Sequence, residues 1–133
     1  MVSPATFHVV TTELVVGTFA LAGLCFALKL LSSFNILPNS KFDEAFDSIA
    51  HGALLFGLLS LPFAILSGVN SASVDERGFV SALLVNKLWL SFAGLGIAIG
   101  VLISRWKVGI EIWNESKSSI IQSSFGMAAC GAI

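Results

Sequence analysis

Residues 7–31 read FHVVTTELVVGTFALAGLCFALKLL, apolar on every side of a helix, interrupted by Glu13 and closed by Lys29. About 20 consecutive apolar residues span the hydrocarbon core of a bilayer, so this stretch predicts a transmembrane helix. Runs of the same character follow at 49–68 and 83–103, with a shorter one at 118–133. The expected fold is all-α, an integral membrane bundle of four transmembrane helices with a short fourth, and 1–133 form a single transmembrane domain.

Composition points the same way. The chain is 56% hydrophobic and 11% charged, with a mean hydropathy of +0.92; soluble domains carry about 25% charged residues. A net charge of −1 supplies neither a basic surface for nucleic acid nor an acidic tail for a soluble partner. The partners implied are the lipid bilayer and other membrane helices, with no nucleic acid. Both cysteines, Cys25 and Cys130, lie inside apolar runs and read as buried free thiols that fill space.

The first run has no Lys or Arg ahead of Lys29, whereas a signal peptide carries a positive segment before its apolar core. The first helix is therefore expected to be retained. The first and third connections carry Lys29, Lys41, Arg105, Lys107 and Lys117, against Arg77 and Lys87 on the opposite side. The excess places those connections in the cytoplasm and both termini outside. A prokaryotic cell membrane is the expected location.

Pro38, Asn39 and Ser40 break the chain after the first helix, and Ser40 followed by Asp43 and Glu44 reads as the start of the second. Asp75 to Gly78 form the expected exterior turn. Trp89 near one membrane edge, and Trp106 and Trp113 near the other, read as interfacial anchors. Between them and the fourth run, Trp106, Ile110 and Trp113 recur at roughly helical spacing among charges, which predicts a short interfacial helix. At about 1.5 Å per residue, 120–133 reaches about 21 Å, short of a core of about 30 Å. A helix of that reach suits docking within a larger complex, or a longer chain.

Little chemistry is visible. Glu13 and Lys87 enter their helices from the same side, and an interhelical ion pair between them is the simplest way to neutralise both. Glu13 could alternatively serve a proton or ion relay. Asp47 and His51, four apart, share a helix face on which the acid could orient the imidazole, the arrangement of many metal and proton sites and also of ordinary helix pairs. His8 and His51 fall at opposite membrane surfaces, so one haem cannot take both as ligands, and no His or Met cluster suits copper. No catalytic residue, metal or cofactor is assigned. Gly96 and Gly100 form a Gly-x-x-x-Gly pair with Gly94 close by, a face along which another backbone can approach, with a helix of the same chain slightly favoured.

His8 opening the first span, Leu66-Ser67-Gly68-Val69-Asn70 closing the second, Asn86-Lys87-Leu88-Trp89-Leu90 opening the third and a shorter fourth span together resemble a widespread prokaryotic family of small four-helix membrane domains of unknown function. Its members commonly carry Pro after the first His and an aromatic residue after that Gly, where this chain has Val9 and Val69. The resemblance implies the fold and no activity. In class, the chain is also similar to the small extra subunits of large membrane enzymes, such as those of archaeal copper-dependent ammonia monooxygenase or respiratory oxidases. The function expected is a non-catalytic accessory subunit of a multi-subunit membrane enzyme complex, which is itself an oxidoreductase in the examples named. Alternatives are a haem- or quinone-interacting electron-transfer protein, with His51 and Asp47 at its site, and a small transporter or proton-conducting bundle using Glu13.

Overall fold

The computed structural model describes residues 3–37, 42–71 and 81–133. They form four helices, α1 (Pro4–Ser33), α2 (Asp43–Ser71), α3 (Ala82–Val108) and α4 (Ser116–Ala132), with a 3₁₀ turn, Gly109–Trp113, between the last two. The break at Pro38 to Ser40, Lys41 and the turn from Asp75 to Gly78 lie outside the described residues. Three helices are long and apolar enough to cross a membrane, with mean hydropathies of 2.2, 2.0 and 1.8 in their most apolar windows. The fourth, with 17 residues, is about 25 Å long.

Caps define the helix starts. The Ser3 hydroxyl accepts from the Thr6 amide at 3.1 Å, and Ser81 from Leu84 at 3.3 Å, each satisfying a donor the first turn leaves free. Acids Asp43 and Glu44 occupy the first turn of α2, and Arg105 and Lys107 the last turn of α3, where the helix dipole favours each sign. Gly109, at φ +69°, ends α3 in the left-handed region that costs glycine least. The expected interfacial helix is thus replaced: α3 runs on to Val108 and the chain reverses through a single 3₁₀ segment.

Packing is set by where side chains are small. Along α1 the buried residues Val15, Phe19, Ala22 and Phe26 recur at helical spacing and face α2 and α4. A Cβ built on Gly57 of α2 would approach Thr18 Oγ1 to 2.9 Å and the Phe19 ring to 3.1 Å. On α4, a Cβ at Gly126 would lie 2.6 Å from the Phe26 ring. Both are close approaches that alanine would obstruct. Gly94 of α3 does the same for α4: its Cβ would stand 2.7 Å from Ile133 and 3.1 Å from the Ala129 carbonyl oxygen. So α4 lies between α1 and α3, while α3 meets α2 chiefly at one end, through Arg105.

The surface is mostly apolar. In the most apolar window of α3 only 17% of residues are buried, against 33% in α1. No described residue between 82 and 93 is buried. Both cysteines are free, Cys25 buried and Cys130 partly so.

Candidate functional site

The α1 C-terminus, the α2 N-terminus, the α3 C-terminus, the 3₁₀ turn and the α4 N-terminus converge on one carboxylate, Asp47. Its side chain is only 7% exposed. Arg105 donates from Nε to both oxygens at 3.1 Å and from Nη2 to Oδ2 at 2.6 Å. Trp113 Nε1–H donates to Oδ1 at 2.8 Å, and His51 Nδ1 lies 3.1 Å from the same oxygen. A buried carboxylate is tolerated when a cation neutralises it and its lone pairs are filled. Here both conditions hold.

The neighbours fix the proton on His51. Gln122 Nε2 lies 2.8 Å from the Val101 carbonyl oxygen, an acceptor only, so this atom is the amide nitrogen. The same nitrogen stands 3.0 Å from His51 Nε2 and donates its second hydrogen there. His51 Nε2 is therefore the bare nitrogen, and Nδ1–H donates toward the Asp47 carboxylate and the Asp47 backbone oxygen at 2.9 Å. Phe26 meets the imidazole edge-on at 5.1 Å between ring centroids. Both ring nitrogens are occupied, so a metal or haem iron at His51 must first displace Gln122.

Lys29 completes the cluster. It is 3% exposed, donates to Asp43 Oδ2 at 2.7 Å and holds its ammonium 4.2 Å from the Trp113 ring centroid. Next to it the Ser33 and Ser119 hydroxyls are hydrogen-bonded, joining α1 to α4. A cleft of about 360 Å³ opens beside the cluster, with Lys29, Glu44, Ser48 and Ile110 among its walls. Of its charged groups, Lys29 pairs with Asp43 and Arg105 with Asp47, while Glu44 is exposed.

His8 stands at the other end. Its Nδ1 lies 3.0 Å from the Ser67 hydroxyl, which is also 3.1 Å from Thr11 Oγ1, so a second, smaller polar contact clips α1 to α2 there. Ser67 and His51 are separated by about 24 Å of α2. The two histidines lie apart, as their spacing in the sequence indicates.

The remaining expected residues divide. Asp47 and His51 do meet. Glu13 and Lys87 do not: both are exposed and no ion pair joins them, since α1 and α3 each pack on α4 and hardly on each other. Of the glycines, Gly94 packs on α4, whereas Gly96 and Gly100 would meet nothing within 4 Å, so neither makes a close contact with a helix of the same chain, the partner slightly favoured. Trp89 and Trp106 are exposed, Trp106 at 87%, while the half-buried Trp113 turns its indole N–H inward to Asp47. Sequence reasoning missed Lys29, Arg105, Trp113 and Gln122 as partners of this cluster. Their one visible signal was two cations and a Trp beside runs otherwise free of charge.

Among the described residues no group of three or more His, Cys, Asp or Glu side chains could hold a metal ion. Comparison with protein families, curated proteins and solved structures finds no match to this chain.

Proposed function

We propose that this chain is a non-catalytic accessory subunit of a multi-subunit membrane enzyme complex, spanning a prokaryotic membrane with all four helices and holding its neighbours in register. The first and third connections, and with them the Asp47 cluster, lie on the cytoplasmic side. The observation that carries the reading is the pair Gly96 and Gly100 on α3, both exposed and open to another backbone. Small residues on a membrane helix matter where another helix packs. The Asp47 cluster is saturated, so its part is to lock the five segments together at one end, a rigid frame for that face.

Gentle detergent extraction of the tagged chain from its own membrane, followed by mass spectrometry, tests this. Other transmembrane subunits should co-purify at fixed stoichiometry. A stable particle containing this chain and no other protein would overturn the proposal.

A second reading has one observation in its favour. A groove of about 290 Å³ between α3 and α4, lined by Ile97, Gly100, Ser104, Ile121, Gln122 and Phe125, is apolar apart from a few groups. Gln122 Oε1, whose amide nitrogen is fully used, has no partner among the described residues. An apolar groove with one acceptor suits a lipophilic molecule bearing a hydroxyl, such as a quinol. Solvent extraction and mass spectrometry of the purified protein would find such a molecule at near one per chain, or exclude this reading. A relay through Glu13 is less favoured, because that carboxylate faces outward and not along a path between helices.

A further inference from the structure

Away from the helix ends, two charges in the apolar helices have no partner among the described residues. Glu13 on α1 and Lys87 on α3 are exposed, and neither makes an ion pair or a side-chain hydrogen bond with a described residue. Ionisable groups within a membrane span are costly unless paired, and mark functional contacts by default.

Their depths can be compared through α4, which touches both helices. A Cβ at Gly23 of α1 would stand 3.2 Å from Cys130 Cβ, and a Cβ at Gly94 of α3 would stand 3.0 Å from Ala132 Cβ and 3.1 Å from Ala129 O. Gly23 and Gly94 therefore lie at about the same level. From it Glu13 is ten residues, about 15 Å, toward the common N-terminal end of α1 and α3; Lys87 is seven residues, about 10 Å, the same way. The long Lys side chain covers the remaining difference of about 5 Å by reaching along the helix. Within one chain α4 spaces α1 from α3 at the level of Gly23 and Gly94, and beyond its end Glu13 and Lys87 form no pair. Between two chains lying the same way up, nothing prevents the meeting.

The surroundings match. One turn either side of Glu13 lie Val9, Val10 and Val16, all exposed, and Gly17, where a Cβ would meet nothing within 4 Å. One turn either side of Lys87 lie Leu83 and Leu90, both exposed, on the part of α3 where no residue from 82 to 93 is buried. A shallow valine and glycine face bearing a carboxylate opposes a leucine ridge bearing an ammonium.

We propose that the chain self-associates in the membrane, α1 of one copy packing along residues 82–93 of α3 of a second, with Glu13 paired to Lys87 of that copy. The two faces differ, so each copy offers one of each to its neighbours. The inference rests on the membrane-spanning reading above, and on neither the accessory role nor any particular enzyme.

Charge exchange tests it. The full chain is expressed in two differently tagged forms, captured through one tag in mild detergent, and its copies per particle counted by native mass spectrometry. The wild type should carry two or more copies. Glu13→Lys or Lys87→Glu alone should lower co-capture at least tenfold, and the double variant, Glu13→Lys with Lys87→Glu, should restore it. Glu13→Gln and Lys87→Gln provide the same single-site comparison where a reversed charge prevents insertion. One copy per particle in the wild type, single variants that assemble normally, or a double variant no better than the singles would each overturn the proposal. So would a Glu13→Lys variant that loses a different subunit while the wild type holds one copy. These outcomes are separable from the accessory-subunit test, which reads other proteins and not copies of this one.

Discussion

Asp47 shows how much one nearly buried side chain can organise. Its carboxylate receives the Arg105 fork, the Trp113 indole N–H and the His51 imidazole, drawn from elements up to 66 residues away. Asp47→Asn removes the charge that neutralises a partly buried guanidinium, and should destabilise the protein by about 1–3 kcal/mol, seen as a lower midpoint of thermal unfolding in detergent. Combining it with Arg105→Met should recover part of the loss, since no lone charge then remains; a double variant as unstable as the sum of the singles would contradict direct coupling. Gln122 makes a complementary case. Gln122→Leu leaves His51 Nε2 and the Val101 carbonyl without a donor, a cost of about 1–3 kcal/mol, and should speed modification of His51 by diethylpyrocarbonate because the bare nitrogen is released. An unchanged rate would mean that Gln122 does not cover that nitrogen. The Asp47–His51 contact was legible because helix geometry puts i and i+4 on one face. Arg105, Trp113 and Gln122 were not, since nothing local ties residues 58 to 71 positions apart.

For the helices, glycine decides which faces meet. Helices apolar all round have no stripe by which rotation can be read, so lengths and ends were legible from the sequence while facing was not. The Gly96 and Gly100 pair was the visible pattern, yet the chain's own close contacts fall at Gly57, Gly94 and Gly126. Only the packed geometry distinguishes them. Gly126→Ala would press a methyl into the Phe26 ring, which is itself fully buried and cannot swing away, and should cost about 1–3 kcal/mol in the isolated protein. Gly96→Ala and Gly100→Ala should leave the isolated protein unchanged or up to about 1 kcal/mol more stable, because alanine is the better helix former and has room. The same two substitutions should weaken co-purification of neighbouring subunits. Thermal unfolding beside pull-down yield separates the effects; a destabilised Gly96→Ala monomer would show that the face is used inside the chain.

In the whole molecule the two ends are chemically unequal. Lys29, Arg105, Lys107 and Lys117 gather at the end that holds Asp47, while Lys87 is the one described Lys or Arg toward the other. That grouping follows from helix direction alone, which is why it could be read from loop charges before any contact was known. Two of the four cations, Lys29 and Arg105, are committed to Asp43 and Asp47, and Lys107 and Lys117 remain exposed on the rim with Trp106. Cytoplasmic connections retain positive charge, so this end should face the cytoplasm. In a background with Cys25→Ala and Cys130→Ala, Lys107→Cys and Lys117→Cys should react with a membrane-impermeant maleimide only after cells are permeabilised. Ser3→Cys and Ser81→Cys should react in intact cells. The reverse pattern would invert the orientation and put the Asp47 cluster outside, while labelling of all four positions in intact cells would contradict a membrane-spanning bundle. The assay also bears on the Glu13 and Lys87 contact, because two copies can bring those residues to one depth only if every chain is inserted the same way up.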